Sequence, residues 1–306
     1  MEFTPVLLLS APQQTASVPE VTKVEPPNWW IGLTPEVLLL LSGRGLEATH
    51  VSCNLPSLRV TRTEATARGD HLFVWLKIGS DTRSGTAVCR IQTATGPMSF
   101  ELPLAARSDI IGKFQGLSSG DHPVDAAHVA GDLRKIRSHL TESKNLGATA
   151  LRLSPLEMRD TEDRFQGAVD FYSIDPGLGS LKDFQELAAS AHAQNMKVVL
   201  DLELLSIGEH HPWVSKPPSA EWLGVAANHG GTLSKPPGEA AHSDHVLDTE
   251  NPLVAFYLLQ NTIWWVETAG LDGIHVTRNT SATNSFWRGW RAGLRKIYPR
   301  LAIVSE

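Results

Sequence analysis

The stretch Trp264 to Thr277, WWVETAGLDGIHVT, restricts the fold more than any other part of the chain. Its apolar face at Trp264, Trp265 and Ala269 stops at Gly270, a residue type that ends helices in the left-handed conformation. Gly273 to Thr277 then alternates with period two. A helix passing through a tight turn into a buried strand is one step of an α/β barrel. The same signals predict further steps. Leu133, Ile136 and Leu140 share a helical face that ends at Asn145-Leu-Gly147, and Ala148 to Pro155 follows as a strand. Ser180 with Asp183 makes a capping-box start for a helix whose stripe is Phe184, Leu187, Ala188 and Ala191, and Met196 to Leu204 is the next strand. Pro252 opens the helix of the central stretch. A last helix over 286–297 precedes the run 301–306.

Before residue 108 the pattern is different. The runs VLLLLSG, LRVTRTE, HLFVWLKI, TAVCRIQT and SFELPLAA, broken by Gly, Pro, Asp and Ser, predict a β-sandwich over 20–107. Residues 1–19, with one short apolar run and no basic n-region, read as a leader or flexible arm. A net charge of -6 without a Lys/Arg cluster argues against nucleic acid or an anionic membrane as partner, and no apolar run approaches the length of a membrane span. A neutral ligand fits this balance better. Cys53 and Cys89 have no Cys or His neighbours at zinc spacing, so no metal is expected; they form either one disulfide or two buried thiols. Nine Trp against three Tyr read as core packing, with sugar stacking as the alternative.

Several of these stretches resemble the α-amylase superfamily, glycoside hydrolase family 13. Gly273-Ile-His-Val-Thr277 resembles its fourth-strand motif of Gly, aromatic or aliphatic, Arg, aliphatic, Asp. Val169 to Pro176 resembles its Asp-Phe-Tyr-x-Val-Asp-Pro segment, and Val21 to Leu33 is similar to the start of the N-terminal domain in cyclomaltodextrinase and neopullulanase-like members. The resemblance implies a sandwich followed by a TIM-type barrel over 108–306. Strands fall near 109, 150, 199, 275 and at the end, five of the eight that a closed barrel needs. Open edges in a parallel sheet predict a missing C-terminal half or self-association.

The resemblance also assigns site positions. Glu306 matches the acid/base and Thr277 the nucleophile, normally an Asp. Among sugar-holding positions Asp201 keeps the Asp of the first signature motif, whereas Leu205 and Ser206 replace its Asn and His. His275 replaces the Arg beside the nucleophile, and Gln166 and Ala168 replace a His and a stacking aromatic. Retaining glycosidases need two carboxyl groups about 5 to 5.5 Å apart. A Thr hydroxyl without an adjacent base is a poor nucleophile. Asp272 has the opposite strand parity and lies about 16 Å back along the strand, too far to substitute. Glu203 shares the parity of Asp201 and reads as a rim or salt-bridged acid. His210 and His211 read as loop packing, and Asp248 matches a family segment ahead of the helix. His229, His242 and His245 read as solvated.

These residues and the resemblance imply an α-amylase-family protein related to the hydrolysis of α-glucans such as cyclomaltodextrin, maltooligosaccharide or pullulan, with its own chemistry impaired at Thr277. The alternatives are a non-catalytic relative that binds α-glucan or a partner protein, and a degenerate gene fragment. No cofactor is implied, and the family suggests a periplasmic or secreted location.

Overall fold

The structure is a computed structural model that describes residues 18–107, 132–160, 167–224, 245–276 and 282–305, with the backbone of 123–125. Two four-stranded sheets form the N-terminal part. One has the order β1 (Glu20–Glu25), β3 (Glu36–Arg44), β6 (His71–Ile78), β5 (Leu58–Ala65). The other runs β2 (Trp29–Trp30), β8 (Gly96–Ala105), β7 (Gly85–Thr93), β4 (Ala48–Cys53). In β7 the residues Ala87, Cys89 and Ile91 are buried, and in β8 Phe100, Leu102 and Leu104, the alternation of a sheet with one wet face. In β3 five successive residues, Val37 to Leu41, are buried, so both faces of that strand are covered. Cys53 and Cys89 are register partners on β4 and β7 and form a disulfide, which settles the two readings of the cysteines.

The second half is built on an all-parallel sheet in the order β9 (Pro123–Asp125), β10 (Ala150–Leu153), β13 (Lys197–Leu202), β17 (Gly273–Val276), β18 (Ala302–Ser305). Spatial order follows chain order, with helices between successive strands. That is the winding of a barrel and not of a doubly wound sheet, whose order reverses. The expected strand near 109 lies outside the described residues, and the strand that pairs with β10 is β9. The helix predicted over 131–147 is broken at His139 into α1 (Leu133–Ser138) and α2 (Leu140–Asn145). Helix α3 (Leu181–Ala193) has the predicted capping box and the predicted stripe.

A small sheet of short strands was not legible in the sequence: β11 (Glu157–Arg159), β12 (Ala168–Ile174), β14 (Ser206–Ile207), β16 (His245–Leu247) and β15 (Leu223–Gly224). It is made from the segments that come after β10 and β13. With the short helix α4 (Pro212–Ser215) it packs an aromatic cluster, in which Trp213 meets Trp222 at 5.0 Å and Tyr257 at 5.2 Å between ring centroids.

Helix α5 (Pro252–Ala269) joins the two halves, and the later helix α6 (Asn284–Ile297) packs beside it. Its C-cap Gly270 adopts φ 66°, the left-handed stop expected from sequence. The helix is buried on almost every side, which demands a partner for each polar side chain. Asn261 donates to the Phe171 carbonyl at 2.7 Å, and Trp264 donates to Asn28 at 2.9 Å. Tyr257 donates to Glu25 at 3.0 Å, and Lys23 bridges Glu25 and Asp170 at 2.9 and 3.0 Å. Seven of the nine tryptophans are buried, and Trp75 is capped by the Arg62 guanidinium at 4.4 Å, so they serve the core.

Candidate functional site

Parallel strands aligned in register bring residues far apart in sequence to one row at their C-terminal ends. Asp201 on β13 is the register partner of His275 on β17, and Arg152 on β10 reaches across from the other side of β13. The Arg152 guanidinium grips Asp201 with both prongs, Nε to Oδ1 at 2.9 Å and Nη2 to Oδ2 at 2.9 Å. Nη2 also stands 3.0 Å from Nδ1 of His275, which in turn lies 3.3 Å from Asp201 Oδ1. The His275 side chain is 5% exposed, Asp201 21% and Arg152 31%, so the row opens to solvent on the Arg152 side.

Two of the positions named from sequence, Asp201 and His275, therefore meet. Ala168 does not join them: it is fully buried in β12, paired with Arg159 and Ile207. Thr277, Gln166 and Glu306 lie outside the described residues. His275 stands where the resemblance puts an Arg, and the guanidinium in this row comes from Arg152 on β10. Sequence reasoning missed Arg152, although a charged residue inside the apolar strand ATALRLSP was a signal for it. Bidentate pairing occupies both carboxylate oxygens of Asp201, so this group is held as an ion pair and not as a free base.

Asp272 has a structural task. Its Oδ2 accepts from the Val198 main-chain N–H at 2.8 Å and contacts His192 Nε2 at 2.9 Å, tying the start of β17 to β13 and α3. Glu203 sits just past β13, where Ser206 approaches it at 3.5 Å. Beside it is Glu157, another acid not singled out from sequence. Glu157 is 2% exposed, its Oε1 accepts from Arg159 at 3.0 Å, and its Oε2 has no hydrogen-bond partner among the described residues. Burial pushes its carboxyl up to about 7 despite Arg159. His211 caps α4 by accepting from the Trp213 N–H at 3.1 Å, and burial pushes its ring down to about 3. His210 pairs with the buried Asp160 at 2.6 Å while most of its ring faces solvent, so of the two histidines only His211 packs inside the loop. His245 contacts Glu209 at 3.1 Å and is not simply solvated, while His229 and His242 lie outside the described residues. Among the described residues no three His, Cys, Asp or Glu side chains come together as a metal site, and no helix is long and apolar enough to cross a membrane. A groove of about 920 Å³ between β5, residues 217–221 and the start of α5 is separate from the row, none of whose residues line it.

Comparison with known proteins agrees with this architecture. The domain described as "Cyclomaltodextrinase, N-terminal" matches residues 23–108, and "Alpha amylase, catalytic domain" matches 96–224. A cyclomaltodextrinase of Thermoanaerobacter pseudethanolicus is 26% identical over 61% of this chain and 34% of its own length. Alpha-amylase 3 of Dictyoglomus thermophilum is 28% identical over 58% of this chain and 39% of its own length. The chain thus spans roughly a third of the length of these relatives. Among solved structures, an alpha-amylase from Geobacillus thermoleovorans, complexed with acarbose, has a TM-score of 0.50 at 23% identity, covering 65% of this chain and 43% of that one; it shares the fold. Matching domains in this order, on a sheet-rich N-terminal part and a barrel-wound second half, are those of cyclomaltodextrinases, neopullulanases and alpha-amylases of glycoside hydrolase family 13, which this chain resembles across residues 23–224.

Proposed function

We propose that this chain is a non-hydrolytic member of the family that binds α-glucans, with a sandwich over 20–107 and, over 108–306, the first five strands of the family's eight-stranded barrel. The observation that carries this reading is the state of the one family carboxylate in the row. Asp201 has both oxygens engaged by Arg152, while the nucleophile position is Thr277. Retaining cleavage needs a carboxylate free to attack and a second carboxyl to protonate the leaving oxygen. A guanidinium, a carboxylate and an imidazole side by side instead offer donors and acceptors to sugar hydroxyls. The relatives named as cyclomaltodextrinase and alpha-amylase support α-glucan as the ligand class.

The test pairs binding with turnover. Calorimetry with maltoheptaose should detect binding, and no reducing ends should appear on prolonged incubation. The double variant Thr277→Asp with His275→Arg should also fail to turn over, because Leu205, Ser206, Gln166 and Ala168 remain. Release of reducing sugar by either protein would overturn the reading, as would absence of binding.

A further inference from the structure

Helix α6 carries a surface unlike the rest of this acidic chain. From Gly273 to Ser305 the sequence has no Asp or Glu, and its cations gather on α6. Phe286, Trp290 and Leu294, four residues apart, form the buried ridge of that helix. On the opposite side Arg288, Arg291, Arg295 and Lys296 are exposed, and Arg300 follows just after the helix. Arg44, Arg62 and Arg68 of the sandwich are also exposed, but they pair with Glu20, Glu64 and Asp70. Among the described residues no carboxylate stands within ion-pair distance of the cations on α6. Arg295 is held by the chain itself, donating to the carbonyls of Pro299 and Leu301 at 2.9 and 2.6 Å. It stands with Lys296 in the last turn, where cations offset the helix dipole. Arg288 and Arg291 have no such task. Arg291 is three residues from Arg288 and four from Arg295, spacings at which like charges meet on a helix and repel. Beside them is Trp287, among the described residues the one tryptophan neither buried nor capped by a cation. Its ring meets Phe286 at 5.0 Å and Trp290 at 5.6 Å, and its outer side is open.

We propose that α6 is a docking surface for an acidic polypeptide segment of another protein, held by the guanidiniums of Arg288 and Arg291 and by the open side of Trp287. Shape and residue type select this occupant. The stripe is a convex helix face and not a cavity, so it fits an extended partner better than a small ligand, which needs enclosure. Arg288 to Arg295 spans about 10 Å, with rises of about 4.5 and about 6 Å between successive arginines. Carboxylates on alternate residues of an extended chain recur every ~6.6 Å, close to those rises. Each can be taken by a guanidinium through two parallel hydrogen bonds, and its charge removes the repulsion along the stripe. Trp and Arg together are also the side chains that contribute most at protein–protein contacts. Nucleic acid and lipid surfaces draw their affinity from many cations spread over a wide face, and a net charge of -6 opposes both. This inference is independent of the proposed α-glucan binding.

The experiment titrates the whole chain with a labelled peptide of alternating Glu and Thr, followed by fluorescence anisotropy and by the indole N–H resonance of Trp287. The peptide should bind at low salt and shift that resonance. Between ~0.05 and ~0.5 M salt its affinity should fall at least about tenfold, because exposed charges are screened. Arg288→Glu together with Arg291→Glu should abolish binding of this peptide and create binding of its counterpart with Lys in place of Glu. Both side chains are exposed, so the helix content of the variant should be unchanged; if that variant does not fold, Arg288→Gln with Arg291→Gln should abolish binding in its place. Trp287→Ala should weaken the acidic peptide at least about fivefold, the loss expected of an interface tryptophan. No binding of the acidic peptide at low salt, or binding that survives charge reversal, would overturn the proposal. So would equal or tighter binding of phosphatidylserine vesicles or of a single-stranded oligonucleotide that the same charge reversal abolishes, since the stripe would then read phosphate and not carboxylate.

Discussion

Gln260 on α5 completes the hydrogen bonding of Leu38 on β3, its Oε1 accepting from the Leu38 N–H at 2.8 Å and its Nε2 donating to the Leu38 carbonyl at 2.9 Å. Strand β1 pairs with β3 only as far as Glu25 opposite Leu40, and Pro26 and Pro27 come next. A proline nitrogen has no hydrogen to donate, so the ladder cannot continue, and one amide side chain replaces the next rung. Gln260→Ala should leave two buried main-chain groups without partners and lower stability by about 2–4 kcal/mol, read from the urea unfolding midpoint. Loss below about 0.5 kcal/mol would mean that water fills the gap.

Asp272 serves the sheet, tying the start of β17 to β13 and α3. Asp272→Ala removes the acceptor for the buried Val198 N–H and the partner of His192. A loss of about 2–4 kcal/mol in unfolding free energy is expected. Maltoheptaose affinity measured well below the melting temperature should be unchanged, and a weakened affinity there would place Asp272 in the binding site.

Stability should fall as pH rises through neutrality. Burial raises the carboxyls of Glu25, Glu157 and Glu267, in each case as the largest cause, and Glu157 is raised from 4.5 to about 7. A raised carboxyl binds its proton more tightly in the folded state than in the unfolded one. Its contribution is therefore fully present below about pH 4.5 and is lost as pH rises through about 7. For Glu157 the loss is on the order of 3 kcal/mol at most. His211, pushed down to about 3, opposes this below its ordinary value of 6.5, so the contribution of Glu157 is read as a difference: Glu157→Gln should raise the urea midpoint near pH 8 relative to that near pH 5, compared with the unaltered protein, and a midpoint difference unchanged by the substitution would contradict it.

Reduction should weaken the N-terminal part selectively. Cys53 and Cys89 are 36 residues apart, and closing a loop of that length stabilises by about 3–4 kcal/mol in the chain-entropy account. Thiol titration of the native protein should find no free thiol. A reductant or Cys89→Ser should lower the unfolding midpoint; equal midpoints with and without reductant would show that the bond is absent in solution.

Much of the fold was legible because it rests on local rules. The left-handed stop at Gly270, the Ser180–Asp183 capping box and the stripe from Phe184 to Ala191 all arise from period and backbone preference within a few residues. The break at His139 escaped, and so did the small sheet around β12, four of whose five strands have only two or three residues, too short a pattern to read. The resemblance of Gly273 to Thr277, together with Asp201, was enough to name the family and to find two members of the row. Sequence by itself determined which residue types stand where the resemblance puts the family's sugar-holding positions, and that Thr277 stands where it puts the nucleophile. Only the tertiary structure decided what state Asp201 is in. Arg152 and His275 are 123 residues apart, and only strand register brings them to within 3.0 Å of each other and to the same carboxylate. Hydrogen bonds and ion pairs depend on distances of a few ångströms, which chain order does not encode until parallel strands align.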